Sequence, residues 1–392
     1  MPYEKHYVYT LTGLEVTSLD SVGNLADAHT HQAASTSQRR EIVSRLPQIF
    51  NRAASLRQAE TDHEVAWEYH SLAGQASFDK VTVTFPCYSS SLAFEIVCNY
   101  MRLSGSRRLA LCEPTFDNLA DTAMRHGLEL QPILDAGSWY ESCIDILHNN
   151  YVDSLALVIP NNPTGSTMSR VELHEIARLA AKQDIFLIVD ASFRVFDERA
   201  CFDFYDTLRA ASCFHFVIVE DTGKIWPALD TKVAFLNSSL HAAPQIGKIH
   251  EDMLLNVSPF ANLVIAEFCR LSKIDSLASV RSLLAQNRTT MEALVYARGL
   301  ATPANDASKV SVELIKLSAD LSAHELSANL RSKYGVHILP GGPFFWSNSR
   351  PEADRFVRVA LSRDADVFER AVRALANGLR NYRKDGPAGA TK

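Results

Sequence analysis

LALVIPNNPTG at residues 155–165 is the first of three similar stretches in this chain, and IFLIVDASFR (185–194) and FVIVEDTGKIWP (216–227) are the other two. Each is a short apolar run, rich in β-branched residues, that ends in polar residues. Runs of this kind predict buried parallel strands. Ligands of open α/β sheets bind beyond the carboxyl ends of such strands. The three stretches therefore predict one crevice that receives an asparagine, an aspartate and a lysine.

The three residues are Asn162, Asp190 and Lys224. An amide, a carboxylate and an amine in this order resemble the core of the fold-type I pyridoxal-phosphate (PLP) enzymes, the aspartate aminotransferase superfamily. The resemblance implies that Lys224 forms a Schiff base with the cofactor aldehyde, Asp190 keeps the pyridine nitrogen protonated and Asn162 donates to the ring hydroxyl. The 34 residues from Asp190 to Lys224 suit one helix and one strand. Taken singly, the three residues read as a turn, a helix cap and a surface lysine.

Length and composition fit an enzyme of two domains. The chain has 392 residues, a net charge of −6 and seven scattered cysteines without a Cys-x-x-Cys motif. We expect reduced thiols in a cytoplasmic protein, with no metal. The absence of basic tracts, of a signal-like apolar N-terminus and of long apolar runs argues against nucleic-acid binding, secretion and membrane insertion.

The pattern along the chain predicts three regions. Residues 1–50 form an N-terminal arm, or lid, and a helix that begins near 35–37 and is kinked or broken at Pro47. Residues 51–285 form the large PLP-binding domain, and residues 286–392 form the small domain. One long helical pattern at about 258–297 suits the connection between the two domains. The predicted fold class is α/β, with a large, mostly parallel seven-stranded sheet and a smaller α+β C-terminal domain.

The superfamily resemblance implies further cofactor contacts. Ser90 and Ser91 open a helix and would hold the phosphate, although helix capping is an equal alternative for each serine. Phe116 would stack on the pyridine ring, with a place in the core as its alternative. Ser192 and Lys232 are also assigned to the cofactor, Lys232 standing where the superfamily has a phosphate-binding arginine.

Two positions depart from an ordinary aminotransferase. Phe193 replaces the tyrosine that follows the pyridine aspartate by three residues, and Asp221 replaces a phosphate-binding serine. Because a carboxylate would be repelled by phosphate, we expect Asp221 to point elsewhere, toward a cationic substrate.

These departures, with the motifs CYSSS, PTFDN, SFRxF and EDTGKxWP, resemble the PLP-dependent L-arginine oxidases and hydroxylases of the enduracididine and azomycin pathways. The resemblance implies oxidation of L-arginine by O2, without metal or flavin, to 4-hydroxy-2-oxoarginine and 2-oxoarginine, with release of ammonia and hydrogen peroxide. The lysine amine, freed when arginine displaces it, would remove the α-proton.

The same subfamily folds its N-terminal arm over the substrate. By resemblance, the substrate-binding residues are Thr12, Glu15, Asp27, Asp221 and Arg358. The three carboxylates would surround the guanidinium and Arg358 would bind the α-carboxylate. His29 would be catalytic and lie near the reacting carbons. Without the resemblance, Glu15 and Asp27 read as solvated acids.

Several other functions remain open on the sequence alone. An arginine 4,5-desaturase, an arginine cyclase and an aminotransferase or lyase of cationic amino acids would use nearly the same residues. A PLP-domain transcription regulator is disfavoured because only about 50 non-basic residues precede the fold. A nicotinamide enzyme lacks its glycine-rich motif here. A homodimer is expected from the fold type.

Overall fold

A computed structural model describes residues 10–30, 37–134, 139–149, 152–228, 231–318, 321–347 and 351–385. The helices are α1 (Leu11–Ser18), α2 (Ser37–Ser55), α3 (Gln58–Leu72), α4 (Phe78–Val81), α5 (Ser90–Leu103), α6 (Asp117–Arg125), α7 (Trp139–Asn149), α8 (Arg170–Lys182), α9 (Phe204–Ala210), α10 (Ala243–Leu254), α11 (Pro259–Lys273), α12 (Ala278–Met291), α13 (Ala323–Tyr334) and α14 (Ala365–Asp385). The strands are β1 (Gly23–Asn24), β2 (Thr82–Cys87), β3 (Arg108–Glu113), β4 (Glu129–Leu134), β5 (Ser154–Val158), β6 (Phe186–Asp190), β7 (Phe216–Asp221), β8 (Ala234–Ser239), β9 (Thr302–Pro303), β10 (Val312–Lys316), β11 (Val336–His337), β12 (Leu339–Pro340) and β13 (Phe356–Ala360).

The large sheet has seven strands in the order β2-β8-β7-β6-β5-β3-β4. The strands β7, β6, β5, β3 and β4 pair in parallel, and β8 pairs antiparallel with both of its neighbours. The three apolar runs form β5, β6 and β7, which are buried almost throughout. The predicted fold class is confirmed, because parallel strands that are covered on both faces need the continuous apolar composition seen here.

A second sheet of four antiparallel strands, in the order β12-β13-β10-β9, lies in the C-terminal part of the chain. The helices α13 and α14 pack against each other beside it. The sheet carries Arg358 at the middle of β13, paired with Leu314 and Leu339. The boundaries at residues 50 and 285 stay predictions.

The N-terminal arm has more structure than its weak sequence pattern indicates. It contains the helix α1, and β1 pairs in parallel with β11. The amide of Ala360 donates to the carbonyl of Leu25 at 2.8 Å, which extends the pairing to β13. Gly23 permits this close approach, because a Cβ there would overlap the carbonyl oxygen of Gly335.

Two predictions concern the bounds of helices. The helix α2 continues through Pro47, so the predicted break is wrong, while the alternative of a kink at this residue stays a prediction. The helix α2 contacts α11 on both sides of Pro47. Before it, the Gln38 side chain donates to the hydroxyl of Ser272 at 2.7 Å, and after it the rings of Phe50 and Phe260 make an edge contact.

The long helix predicted for 258–297 is divided instead into α11 and α12. At the break, the Asp275 carboxylate accepts hydrogen bonds from the amides of Leu277 and Ser279, both at 3.0 Å, and so begins the second helix. Among the described helices, none alone has the length and apolar composition to cross a bilayer. The helices α10 and α11 reach that threshold only together, across a 116° bend.

Six of the seven cysteines are buried, and Cys201 is partly buried. Burial raises the thiol pKa, to about 12 for Cys87 and about 11 for Cys213.

Candidate active site

The ends of β5, β6 and β7 open into a cavity of about 270 Å³. Twelve of the predicted site residues line it: Thr12, Glu15, His29, Ser90, Ser91, Phe116, Asn162, Asp190, Ser192, Asp221, Lys224 and Lys232. The other two, Asp27 and Arg358, are buried behind its wall and contact lining residues. The structure therefore brings all fourteen residues together.

Asp190 ends β6 at the floor of this cavity. Its carboxylate accepts a hydrogen bond from the amide of Ser192 at 2.9 Å. Burial raises the pKa of Asp190, and the charge of Asp221 acts in the same direction, while Ser192 and Lys224 oppose them. A cationic group facing Asp190 would therefore favour its charged form.

Asp221 lies between the start of α5 and two lysines. Its Oδ2 accepts from the amide of Ser90 at 3.2 Å, and its Oδ1 accepts from the amide of Gly223 at 2.6 Å. Burial acts to raise the pKa of Asp221, but the charges of Lys224 and Lys232 outweigh it and leave the pKa lowered. In the structure this carboxylate points toward the start of α5 and the two lysines, and the expectation that it turns away from a bound phosphate stays a prediction.

His29 links the arm to both lysines. Its Nδ1 lies 2.7 Å from Oδ1 of Asp27, which also accepts the His29 amide at 3.0 Å. Its Nε2 lies 2.9 Å from Nζ of Lys232 and 3.5 Å from Nζ of Lys224. An Nδ1–H that donates to Asp27 leaves a lone pair on Nε2. The arm thus presents a proton acceptor, oriented by a carboxylate, beside the predicted catalytic lysine.

Glu15 forms an ion pair with the fully buried Arg358. Its Oε1 lies 2.7 Å from Nη2 of Arg358 and accepts the amide of Ala28 at 3.3 Å. Arg358 also donates to the carbonyl of Ala26 and lies 3.5 Å from Oδ1 of Asn162. The alternative that Glu15 is a solvated acid is wrong, since only 7% of the residue is exposed. Asp27, 1% exposed, is not solvated either.

Two aromatic rings complete the wall. Phe116 borders the cavity, and its ring centre lies 5.8 Å from the guanidinium carbon of Arg358. It makes an edge contact with Phe344 at 6.0 Å. Phe193 is buried and lines the cavity beside Asp190. Both rings therefore offer apolar surface to a bound planar group.

The sequence reasoning missed a buried polar cluster beneath the site. Arg194 and Glu220, both fully buried, form an ion pair, and the hydroxyl of Tyr205 donates to Glu220 at 3.0 Å. Burial acts to raise the pKa of Glu220, but Arg194 and His70 outweigh it and lower the pKa to about 2. Arg194 and Glu220 belong to the motifs SFRxF and EDTGKxWP. The motifs therefore marked both residues but did not indicate that they form an ion pair.

Two anchors of the arm were also missed. Thr30 donates its hydroxyl to the carbonyl of Lys224 at 2.6 Å. Arg363 hydrogen-bonds residues of the arm from beyond the end of β13. Nothing in the sequence pattern indicates either contact, because the partners are backbone carbonyls far away in the chain.

The donor set fits PLP. The cavity offers an amine for an aldehyde, a carboxylate for a ring nitrogen and an amide for a ring oxygen. The amides at the start of α5 and the ammonium of Lys232 suit a phosphate. Among the described residues, no group of three His, Cys, Asp or Glu side chains is arranged to hold a metal ion.

Residues 21–375 match the family model for aminotransferase class I and II, so the chain belongs to this family of PLP-dependent enzymes. A search of curated protein sequences found no significant match. Among solved structures, the chain is similar to MppP, which was described after soaking with the product 2-ketoarginine. The identity is 31% and the TM-score 0.83, over 91% of this chain and 99% of MppP.

More distant structures share the fold. The α-aminoadipate aminotransferase LysN from Thermus thermophilus is 14% identical, with a TM-score of 0.80 over 96% of each chain. An aminotransferase from Mycobacterium tuberculosis is 15% identical, with a TM-score of 0.75 over 95% of this chain and 96% of its own.

Proposed function

We propose that the protein oxidises L-arginine with PLP as cofactor and O2 as co-substrate. The products are 2-oxoarginine and 4-hydroxy-2-oxoarginine. The observation that carries this proposal is the Asp27–His29 pair, which places a second proton acceptor beside Lys224. An aminotransferase needs one base at the α-carbon, whereas oxidation that extends to C4 requires protons to leave further carbons of the same substrate.

The reaction balances in two steps. Formation of 2-oxoarginine consumes one O2 and one water and releases one ammonia and one hydrogen peroxide. In the longer reaction, a second O2 takes two further electrons from the substrate and becomes a second hydrogen peroxide. A second water adds its oxygen at C4, which gives 4-hydroxy-2-oxoarginine.

The side chains that line the cavity support the assignment of the cofactor residues. PLP, when bound, supplies an electron sink for negative charge at the α-carbon of the substrate. Lys224 is the residue to which it would be joined, Asp190 would face its ring nitrogen and Asn162 its ring oxygen. Its phosphate would lie near Lys232 and the start of α5, which requires the Asp221 carboxylate to leave the amide of Ser90. Asp221 would then be available to a cationic substrate.

We propose the remaining cofactor contacts because of where the residues lie in the cavity. Ser90 and Ser91 open α5, and Ser192 lies next to the floor of the cavity. Phe116 would cover one face of the ring. Phe193 has no hydroxyl to donate to the ring oxygen, which distinguishes this site from one with tyrosine at that position.

The arm supplies the substrate specificity. Glu15 is paired with Arg358 in the structure, so an entering α-carboxylate competes with Glu15 for this guanidinium. The guanidinium of L-arginine can donate hydrogen bonds to Glu15, Asp27 and Asp221, so Glu15 would exchange Arg358 for the substrate as its cationic partner. A neutral amino acid would break the same pair and leave a buried carboxylate without a cation, which is costly. Thr12 borders the same space.

The decisive experiment is to mix the purified, PLP-loaded protein with L-arginine in air and under nitrogen. Oxygen uptake, peroxide and product masses are followed, in ordinary water and in water labelled with oxygen-18. We expect uptake of O2 and a product one oxygen heavier than 2-oxoarginine that carries the water label at C4. Amino transfer to a keto acid without O2 uptake would replace the proposal by an aminotransferase, and a 4,5-dehydro product would replace it by a desaturase.

We further propose a cytoplasmic homodimer that acts in the biosynthesis of a non-proteinogenic amino acid or antibiotic. Its support is the expected dimer of the fold type and the similarity to MppP. Sedimentation of the purified protein at twice the chain mass is the expected result.

A further inference from the structure

Arg363 is a buried arginine that no cofactor or substrate contact accounts for. It follows β13, and 3% of it is exposed. Its Nε donates to the carbonyl of Asn24 at 2.8 Å, and its Nη1 donates to the carbonyls of His29 at 3.0 Å and Ser362 at 2.8 Å. Its Nη2 donates to the carbonyl of Asp27 at 2.6 Å and to Oδ1 of Asn24 at 3.3 Å. All five N–H groups of the guanidinium are thus used.

Four of these five hydrogen bonds end on the arm between residues 24 and 29. The side chain of Asn24 continues the network, because its Oδ1 also accepts the amides of Ala26 and Asp27, both at 3.1 Å. The hydroxyl of Ser18, at the end of α1, donates to the same oxygen at 2.9 Å. Arg363 and Asn24 together therefore define the path of the chain that leads from α1 to His29.

Burying the charged side chain of Arg363 costs free energy. Its five acceptors are uncharged oxygens, and burial lowers the pKa of its guanidinium to about 10, although the charge of Asp27 opposes this change. A cation without a hydrogen-bonded carboxylate is costly to bury. A neutral side chain or a packed apolar one would cost less if the protein needed only to fill this space.

We propose that Arg363 is a positioning residue, which holds residues 24–29 in the conformation that directs the Asp27–His29 pair at Lys224. This inference rests on the proposed function, in which His29 takes part in the reaction. Lysine cannot replace arginine here, because it has three donors on one nitrogen and lacks the planar guanidinium that reaches three separate carbonyls of the arm.

The test compares three variants of the PLP-loaded protein with the wild type. Arg363→Lys keeps the positive charge and removes the planar guanidinium group. Asn24→Ala removes one acceptor from the arm side and leaves Arg363 in place. Arg370→Lys is the matched control, since Arg370 is 62% exposed on α14 and pairs with Asp366 of the same helix at 2.9 Å.

Amide hydrogen exchange reports on the arm without any substrate. In Arg363→Lys we expect the amides of residues 25–29 to exchange about tenfold faster or more, because hydrogen bonds to a charged donor are lost. Amides of β6 and β7 and the visible absorption of the bound cofactor should be unchanged. In Asn24→Ala we expect faster exchange, to a smaller degree, at Ala28 and His29, whose amides donate to Glu15 and Asp27 and not to Asn24, and Arg370→Lys should match the wild type.

Oxygen uptake with L-arginine gives the functional result. We expect kcat of Arg363→Lys to fall about tenfold or more, with a smaller change in KM, because misplacing a catalytic group by about 1 Å can cost up to a hundredfold. Unchanged exchange at residues 25–29 in Arg363→Lys would overturn the inference, and so would faster exchange with wild-type kcat. If Arg363→Lys does not fold, unchanged exchange at Ala28 and His29 in Asn24→Ala decides against the inference. Absence of O2 uptake by the wild type would instead refute the proposed function, which the exchange data do not depend on.

Discussion

Glu15→Gln separates recognition of the substrate side chain from closure of the arm. Glutamine keeps an oxygen that can accept from Nη2 of Arg358 and from the amide of Ala28, and it removes the negative charge. The arm should therefore still dock, while the guanidinium of bound L-arginine loses a charged partner. A hydrogen bond to a charged group contributes about 1.5–3 kcal/mol. At about 1.4 kcal/mol per tenfold change in rate, kcat/KM for L-arginine should fall about 10- to 150-fold.

L-Norleucine is the comparison substrate, since it has the α-carboxylate and a shorter, unbranched side chain without a charge. In the wild type it would leave Glu15 buried without a cation, and in Glu15→Gln that cost disappears. Its kcat/KM should therefore stay constant or rise, so that the preference for arginine over norleucine falls. Glu369→Gln is the control, because it breaks a Glu–Arg pair with Arg373 on the exposed face of α14. An equal fall for both amino acids, or no fall for arginine, would refute the assignment of Glu15.

Three further predictions concern the floor of the site. Borohydride reduction and peptide mapping should place the pyridoxyl group on Lys224, and Lys224→Ala should abolish the label; a label on another lysine in the wild type would contradict the assignment. Phe193→Tyr should lower the ratio of oxidation to amino transfer, measured as O2 uptake against transfer to a keto acid, and an unchanged ratio would count against a role for this ring. Glu220→Gln should lower the free energy of unfolding by about 3–5 kcal/mol, because it leaves buried Arg194 without its partner. Because the pKa of Glu220 is lowered from 4.5 to about 2, the wild type should lose this stability as the pH falls from 4.5 toward 2, so an equal gap between the two proteins at pH 7 and pH 3 would contradict the pairing.

The sheet and the floor of the site could be predicted from the sequence because they follow local rules. A buried parallel strand is continuous and apolar, and the residue after it must lie at the carboxyl edge, so the sequence alone places Asn162, Asp190 and Lys224 together. The resemblance added Arg358 to the predicted site. This residue lies on β13, and its side chain reaches Asn162.

The arm could not be predicted in the same way. Its helix α1 is stabilised by contacts with remote residues, such as the amide of Leu11 with Asp117 at 2.7 Å, and not by a periodic apolar face. The pairing of Glu15 with Arg358 depends on two residues 343 positions apart, which no local pattern can specify. The break before α12 was missed because apolar periodicity continues across it, whereas the start of α12 is stabilised by hydrogen bonds from the amides of Leu277 and Ser279 to the Asp275 carboxylate.

The raised pKa of the cysteine thiols has a consequence if the protein makes hydrogen peroxide, as proposed above. Hydrogen peroxide attacks the thiolate form of cysteine far more readily than the thiol. Burial raises the pKa of the thiols of Cys87, Cys98, Cys143, Cys201, Cys213 and Cys269. If each turnover releases peroxide, these side chains remain protonated at neutral pH and withstand the enzyme's own by-product over many cycles.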